Sequence, residues 1–269
     1  MPNKNIKTYP MKKTAFLSIL SALTVFSFTS CIKINTDRIK ISSKYEHAAQ
    51  YKAGSEPIAN AISKLEIDWV SGSVNIESYD GNELLFSETS EKALTEETTM
   101  HYWLQNGNHL HIQFGKSGAR FKNFDKQLTV KVPASWDLDK IELDIVSSDV
   151  TVNGIACGEF ELDGVSAGVS MSASTVKSLK MNTVSGCLSA DFTGADSAAR
   201  PDKISLESVS GSASLLLPED WGFNAEMESV SGKFKCPFAT KVSKGEYTYG
   251  DGGIEIEMES VSGNLSIEH

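Results

Sequence analysis

Two histidines, His109 and His111, are the residues whose types and spacing most directly suggest chemistry. They stand two positions apart in the strand-like segment HYWLQNGNHLHIQF, so their side chains share one face of a β-strand. Paired imidazoles are metal ligands, but a zinc site takes three or four protein ligands, and the sequence offers no evident third donor. We interpret them as exposed strand residues, with a weak metal site as the alternative.

The turn between the two strands of this segment determines what the histidines face. Asn-Gly at 106–107, between two alternating runs, predicts a two-residue hairpin turn. In that register the cross-strand pairs are Leu104 with His109, Tyr102 with His111, and His101 with Ile112. His101 is then predicted to lie on the opposite face, away from the other two histidines.

Serine recurs too regularly in this chain to act as a nucleophile. Seven copies of Val-Ser followed by a small residue place the serines at Ser71, Ser147, Ser166, Ser185, Ser210, Ser231 and Ser262. A nucleophile is normally single and needs an adjacent base, so seven equivalent serines indicate a structural hydroxyl ladder. The chain also has no G-x-S-x-G, Walker or dinucleotide motif, and we expect no enzymatic activity.

Acidic residues recur two and four positions before each of these valines. The candidate binding face comprises Asp68, Glu142, Asp144, Glu161, Asp163, Glu207, Glu226, Glu228, Glu257 and Glu259. These positions alternate with apolar ones, so we expect them to face solvent. Like charges on adjacent strands destabilise pairing. Either salt screens the repulsion and the charge limits aggregation, or the face binds Ca²⁺, a basic partner or an amine-bearing wall polymer.

Charge is distributed unevenly along the chain. Residues 141–269 hold 8 Lys/Arg and 20 Asp/Glu, a net charge of −12, whereas residues 32–140 hold 13 and 15, a net charge of −2. A negative surface repels phosphate backbones, so nucleic-acid binding is disfavoured. The negative charge of residues 141–269 favours a cationic partner.

The seven Val-Ser motifs are the centres of a longer repeat. Their valines are Val70, Val146, Val165, Val184, Val209, Val230 and Val261. Apolar residues stand five and three positions before each valine and four and six positions after it, which predicts two β segments with a change of buried face between them. A bulge or corner is expected at the valine, where the following glycine tolerates unusual backbone angles.

The spacing of the repeats predicts how they assemble. The last six valines are separated by 19, 19, 25, 21 and 31 residues, which is typical of coils that stack to bury their apolar faces. We predict an all-β fold, a β-solenoid or strand-repeat stack, with a β-sandwich of degenerate repeats as the alternative. Pro-x-x-Trp linkers at 133–136 and 218–221 favour one domain over residues 61–269, with a strand and hairpin region at 61–140 and regular repeats at 141–269.

The N-terminal residues predict export. Two lysines precede an uncharged stretch that ends at Cys31, so residues 1–30 are predicted to be an export signal and residues 31–60 a lipid anchor and stalk, with Cys31 lipidated. Plain secretion and an uncleaved anchor are the alternatives. Of the other cysteines, Cys236 falls in an inward column and Cys187 in an outward one, which makes Cys187 the candidate reactive thiol.

The V-S-G corners, the Pro-x-x-Trp linkers and the exported N-terminus together resemble the bacterial "putative adhesin" family of β-strand-repeat proteins, also called the toastrack domain. The resemblance covers residues 61–269. It implies a β-repeat domain of the surface or envelope, with relatives associated with adhesion and with envelope-stress systems, and it supplies no catalytic residue or cofactor.

These observations lead to one expectation and two alternatives. We expect a non-enzymatic, lipid-anchored envelope protein on the outer face of a bacterial membrane, an adhesin or binding scaffold whose partner is an envelope polymer or a membrane protein. The first alternative is an accessory component of a membrane stress-sensing system. The remote alternative is a polysaccharide lyase, which would need a basic catalytic residue, and Arg200 is the only arginine in 141–269.

Overall fold

The structure, a computed structural model, describes residues 41–42, 47–194, 199–238, 241–243 and 246–269. A 3₁₀ turn spans Ala48–Gln50, and the regular structure of the described residues is almost entirely β. In the described part of the chain, no helix has the length and apolar character needed to cross a membrane. The predicted export signal, Cys31 and most of the predicted stalk lie outside the described residues.

Eighteen strands are present in the described ranges. They are β1 (Ile41–Ser42), β2 (Lys52–Ala53), β3 (Lys64–Tyr79), β4 (Leu85–Thr89), β5 (His101–Gln105), β6 (His109–Gln113), β7 (Arg120–Phe121), β8 (Lys126–Pro133), β9 (Leu138–Asn153), β10 (Ala156–Ser172), β11 (Thr175–Asp191), β12 (Lys203–Leu216), β13 (Phe223–Ser229), β14 (Phe234–Lys235), β15 (Lys241–Ser243), β16 (Glu246–Tyr249), β17 (Ile254–Ser262) and β18 (Leu265–Glu268). β1 pairs with β7, and the other sixteen form one sheet.

The repeats stack as parallel coils in register, which confirms the predicted strand-repeat stack. Aligned corner positions pair directly, so that Asp144 of β9 lies between Asp68 of β3 and Asp163 of β10. Only two residues separate β9 from β10 and β10 from β11, so each 19-residue coil is one bent strand and a tight turn. Gly154 and Ala173 occupy equivalent turn positions and both have positive φ, 67° and 49°. The β-sandwich alternative is not adopted.

One extra residue changes the buried face at the corner, as predicted. Counting from the corner valine, the residue at −1 is buried in six of the coils, position +2 is buried in three, and positions +4 and +6 are buried in six. The valine is half-buried in β10, β11, β12 and β17, and Val230 is 57% exposed, whereas Val70 and Val146 are buried. The apolar columns on both sides of the corner belong to one continuous core.

Glycine is required after the corner chiefly by the contact between coils. Gly72 alone among the five corner glycines has a positive φ, 106°. A Cβ added to Gly186 would lie 1.8 Å from the carbonyl oxygen of Ala167 in the neighbouring coil, and one added to Gly263 would lie 1.7 Å from that of Gly211. The expectation that unusual backbone angles explain these glycines is therefore wrong for four of them, because the neighbouring backbone leaves no room for a side chain.

The order of the coils departs from chain order at both ends of the repeat region. β17 lies between β12 and β13, so the last repeat is inserted beside the fifth and the sixth is displaced outward. At the other end, β6 pairs with the first half of β3 and β8 with its second half, so these strands add a further layer. β2, from the end of the predicted stalk, pairs with β5. The division at residue 140 stays a prediction.

One ion pair lies inside the core. The Lys126 ammonium, whose side chain has 0% exposure, is 2.5 Å from a Glu88 carboxylate oxygen and donates to the carbonyl oxygens of Thr98 and Phe114. It also lies 5.0 Å from the centroid of a Trp69 ring. Burial lowers the pKa of Lys126, and the Glu88 carboxylate opposes that shift. Through these hydrogen bonds the pair links β4 and β8 to the segments that precede β5 and follow β6.

Candidate functional site

The histidine hairpin has a three-residue loop. Gln105 pairs with His109 and Trp103 with His111, and the Asn108 amide donates to the Gln105 carbonyl oxygen. The predicted two-residue register is therefore wrong by one position, because Asn106 and Gly107 both adopt positive φ and Asn108 extends the loop.

The corrected register changes the partner of the third histidine. His101 pairs with Gln113 and not with Ile112. Its Nδ1 lies 2.9 Å from the Thr99 carbonyl oxygen, and the residue is buried. His109 and His111 are adjacent, with ring centroids 3.7 Å apart, as predicted. This register places His101 on the same face as His109 and His111, so the predicted opposite face is wrong. His101 nevertheless lies one pair beyond the cluster and does not belong to it.

A third donor reaches the two histidines from the neighbouring strand. β6 also pairs with β3, which places His111 directly beside Glu66. The Glu66 carboxylate lies 3.1 Å from His109 Nε2 through one oxygen and 3.3 Å from His111 Nδ1 through the other. All three side chains are partly accessible, with exposures of 19%, 20% and 12% for Glu66, His109 and His111. Glu66 precedes His109 by 43 residues, so the sequence does not indicate it as a donor to the two histidines.

Aromatic side chains surround this cluster. Trp103 stacks on His111 with ring centroids 5.2 Å apart. The Tyr51 ring meets both of them edge-on, with centroid distances of 5.7 Å to Trp103 and 6.2 Å to His111. Burial lowers the pKa of His109, and the adjacent His111 lowers it further, which favours a neutral His109 imidazole near pH 7. Burial, together with the charges of Asp68 and Glu66, raises the pKa of Tyr51. The cluster is thus partly shielded from water on one side.

Lysines neutralise the acidic column at position −4 in the first coils. Lys64 lies 2.7 Å from a Glu142 carboxylate oxygen, and Lys140 lies 2.6 Å from one of Glu161. Burial raises the pKa of Glu66, but the hydrogen bond with His111 and the charge of Lys64 outweigh it and lower the value to about 2. Repulsion between stacked carboxylates is therefore offset within the protein in this part of the face.

The column at position −2 is neutralised differently. Asp68 and Asp144 lie side by side and share a hydrogen bond. Burial, followed by the neighbouring carboxylates, raises the pKa of Asp68, and burial raises that of Asp144 to about 7, so one proton is held between them. Asn182 donates to Asp163 at 2.7 Å. These side chains are half-buried, and they are not the freely solvated residues that the alternation suggested.

Carboxylates are only partly compensated at the other end of the stack. Glu226 of β13 pairs directly with Glu246 of β16 on one side and with Glu257 of β17 on the other. They line a surface cleft of about 520 Å³, here called the carboxylate cleft and defined by Asp202, Glu226, Glu246, Glu255 and Glu257. Lys203 alone pairs with cleft carboxylates among the described residues, 2.7 Å from Glu257 and 3.5 Å from Glu255.

The predicted binding face therefore divides into two parts. Five of its residues, Asp68, Glu142, Asp144, Glu161 and Asp163, are engaged by lysine, by asparagine or by each other. Within the described ranges, Glu207, Glu226 and Glu228 form no ion pair, and Glu257 binds Lys203. Glu259 follows them in register beside Glu228. Whether the ten residues bind a ligand stays a prediction.

The three described cysteines are free thiols in different environments. Cys187 is exposed, as its outward column predicted, and Cys157 is buried. Burial raises the pKa of Cys157 to about 12. Cys236 is half-buried, and its Sγ lies 3.8 Å from the Phe238 carbonyl oxygen. Cys187 is the thiol most accessible to a reagent.

This geometry defines an all-β protein of stacked parallel coils with a charged outer face. The chain belongs to the Toastrack DUF4097 family, whose model matches residues 62–200, slightly more than half of its 269 residues. The resemblance found in the sequence is thereby confirmed. No curated protein matches the chain.

Solved structures of related shape exist. The chain is similar to a "putative cell adhesion protein" from Clostridium sporogenes ATCC 15579, with 16% identity, coverage of 81% of this chain and 97% of that one, and a TM-score of 0.50. It also matches a "putative adhesin" from Parabacteroides merdae ATCC 43184, with 11% identity, coverage of 82% and 97%, and a TM-score of 0.34. The first likeness concerns the fold alone.

Proposed function

We propose that this protein is a non-enzymatic binding protein of the cell envelope that engages a cationic partner through the carboxylate cleft. The observation that carries the proposal is the direct pairing of Glu226 with both Glu246 and Glu257. Adjacent strands lie about 4.8 Å apart, and like charges directly opposite each other destabilise a sheet. A cation from outside the protein would relieve that repulsion.

Comparison of the two ends of the face supports this assignment. In the first coils, Lys64 and Lys140 lie between stacked glutamates at 2.6–2.7 Å, and the charge is balanced internally. At the cleft, Lys203 is the only described counter-charge, while Glu226 and Glu246 are exposed. A site that binds a cationic ligand must retain uncompensated carboxylates, because an internal lysine would compete with the ligand.

An amine-bearing envelope polymer is the partner class that fits the cleft best. Its repeated ammonium groups can meet carboxylates that repeat along the stack, and several weak contacts on one chain combine into useful avidity. Ca²⁺ is the second cation that such oxygen ligands accept. Ca²⁺ could bridge the cleft carboxylates and the polymer, and the comparison of added Ca²⁺ with chelator tests its contribution.

The corner serines support a non-enzymatic role. Ser71 bonds to the Asp125 carboxylate, and Ser231 donates to the Val261 carbonyl oxygen at 3.4 Å. Neither has the histidine base that would activate a nucleophile. Ser147, Ser166 and Ser185 pair in register on adjacent coils, so the serine ladder is a feature of the coil corner.

We infer the location from the N-terminal sequence, and it suits the proposed role. Export directed by residues 1–30 and lipidation at Cys31 would place the stack on the outer face of a bacterial membrane, with the membrane as one partner. The name of the Clostridium sporogenes protein, "putative cell adhesion protein", is consistent with a role in binding at the surface.

The test is co-sedimentation of the purified protein with isolated cell-wall material, with added Ca²⁺ or with chelator. The variant Glu226→Gln/Glu246→Gln/Glu257→Gln removes three cleft charges. The matched control, Glu83→Gln/Glu97→Gln/Glu219→Gln, removes three exposed charges elsewhere. We expect saturable binding that the cleft variant loses and the control keeps. Equal binding by both variants, or none by the wild type, would refute the proposal.

A further inference from the structure

The cluster of Glu66, His109 and His111 has the composition and spacing of a metal site. Each side chain offers one ligand atom, and these atoms all lie within 4.8 Å of one another. A tetrahedral ion with bonds of about 2.0–2.1 Å holds its ligands about 3.3 Å apart. Each imidazole nitrogen lies at about this distance from a Glu66 oxygen, His109 Nε2 at 3.1 Å from one oxygen and His111 Nδ1 at 3.3 Å from the other.

The contacts of His111 determine which of its nitrogens can bind a metal. Its Nε2 lies 3.0 Å from Gln105 Oε1. A carbonyl oxygen accepts hydrogen bonds and cannot donate, so Nε2 carries a hydrogen. Nδ1, which lies 3.3 Å from a Glu66 oxygen, is therefore the nitrogen that can exchange a proton for a metal ion shared with the carboxylate.

We propose that Glu66, His109 and His111 bind a divalent transition metal of the Zn²⁺ class. His109 Nε2, His111 Nδ1 and a Glu66 oxygen are the ligands, and Gln105 is a positioning residue that fixes the His111 tautomer. Such outer hydrogen bonds to ligating imidazoles are a general feature of metal sites. The proposal is independent of the carboxylate cleft, which lies at the other end of the stack.

The donor types determine which metals fit. Two imidazoles and one carboxylate suit Zn²⁺, Ni²⁺ and Cu²⁺, whereas Ca²⁺ and Mg²⁺ take oxygen ligands almost exclusively. Three protein ligands leave a fourth position free, and the partial exposure of all three side chains gives a water molecule or an external donor access to it. The site is therefore of the open kind.

The positive charge of Lys64 repels a metal ion at this site, so removing that charge should strengthen metal binding. Its ammonium lies 3.1 Å from one Glu66 oxygen and 2.7 Å from a Glu142 oxygen. When a metal binds Glu66, Lys64 retains Glu142, but its charge remains close to the ion. Replacing Lys64 with methionine keeps a similar shape and removes the repulsion, so we expect Zn²⁺ to bind about tenfold more tightly.

The experiment uses the untagged full chain, purified in detergent, stripped with chelator and carrying Cys187→Ser to remove the exposed thiol. Zn²⁺ is titrated calorimetrically. We expect one ion per chain and loss of binding in Glu66→Gln, His109→Ala and His111→Ala. Gln105→Ala should bind about 10–100-fold more weakly. His269→Ala, a histidine at the far end of the chain, should bind as the parent does.

A spectroscopic measurement locates the ion independently. Trp103 stacks on His111, so bound Cu²⁺ should quench its fluorescence, and Trp103→Phe should remove most of the quenching while leaving Zn²⁺ binding intact. Circular dichroism shows whether each variant keeps the wild-type fold. No stoichiometric Zn²⁺ binding by the parent, or binding unchanged in folded His109→Ala and His111→Ala, would overturn the proposal.

Discussion

The carboxyl pair of Asp68 and Asp144 makes stability depend on pH in a way that one substitution should remove. The folded state holds the pKa of Asp144 at about 7, whereas an unfolded chain has the ordinary value of about 3.9. Because the folded pKa is the higher one, its contribution to stability is complete below pH ~4 and is lost as the pH rises towards 7. Asp144→Asn stays neutral at every pH.

The magnitude follows from the shift. Each pKa unit corresponds to about 1.4 kcal/mol, so a shift of roughly three units is at most about 4 kcal/mol. Water reaches the half-buried side chain and screens part of this, which leaves about 2 kcal/mol. We expect the free energy of unfolding of Asp144→Asn to exceed that of the wild type by about 2 kcal/mol at pH 8 and to equal it at pH 4.

The assay is urea unfolding followed by tryptophan fluorescence at pH 4, 6 and 8. A shift of the midpoint at constant slope reports a change in stability. Asp149→Asn, an exposed acid on the same strand, is the matched control and should show no such pH-dependent gain. A variant no more stable than the wild type at pH 8, or a gain that is the same at all three pH values, would refute the shared-proton account.

Three further predictions concern the core, the coil contacts and the thiols. Lys126→Met leaves the Glu88 carboxylate buried and unpaired, so urea unfolding should show a loss of about 3–5 kcal/mol; a loss below ~1 kcal/mol would contradict the buried pair. Gly263→Ala should cost at least about 3 kcal/mol because its Cβ meets the Gly211 carbonyl oxygen, whereas Gly194→Ala, with open space around it, should be nearly neutral in the same assay. A thiol reagent followed by mass spectrometry should modify Cys187 in the native protein and Cys157 only after unfolding; early modification of Cys157 would show that the coils open.

Much of the coil geometry is predictable from the sequence. Alternation at period two, interrupted at the same place in seven repeats, specifies which positions face inward on each side of the corner. The observed register, with Asp68 beside Asp144, follows from aligning those repeats. The order of the coils is not specified in this way. β17 pairs with β12 on one side and with β13 on the other in the same register, so the pattern alone does not say which coil is its neighbour. Parallel coils with equivalent inner columns are interchangeable in pattern, and their order depends on the connecting loops.

The sites were harder to predict for two physical reasons. Glu66 joins His109 and His111 only because β6 pairs with β3, and a one-residue error in the hairpin loop hid the local geometry. The acidic face looked uniform in the sequence because only the columns at positions −4 and −2 were compared. Position −6 carries Lys64 and Lys140 in the first two coils, where these lysines neutralise the neighbouring glutamates. In β13 and β17 the same position carries Asn224 and Glu255, which leaves Lys203 of β12 as the one described lysine paired with the cleft carboxylates.

The decisive measurement is the affinity of the protein for a soluble amine-bearing polysaccharide such as chitosan across a range of salt concentrations. We expect saturable binding by the wild type that weakens as salt screens the cleft, and loss of binding in Glu226→Gln/Glu246→Gln/Glu257→Gln. Retention of the same affinity and salt dependence by that variant would contradict the assignment of the carboxylate cleft as the binding site.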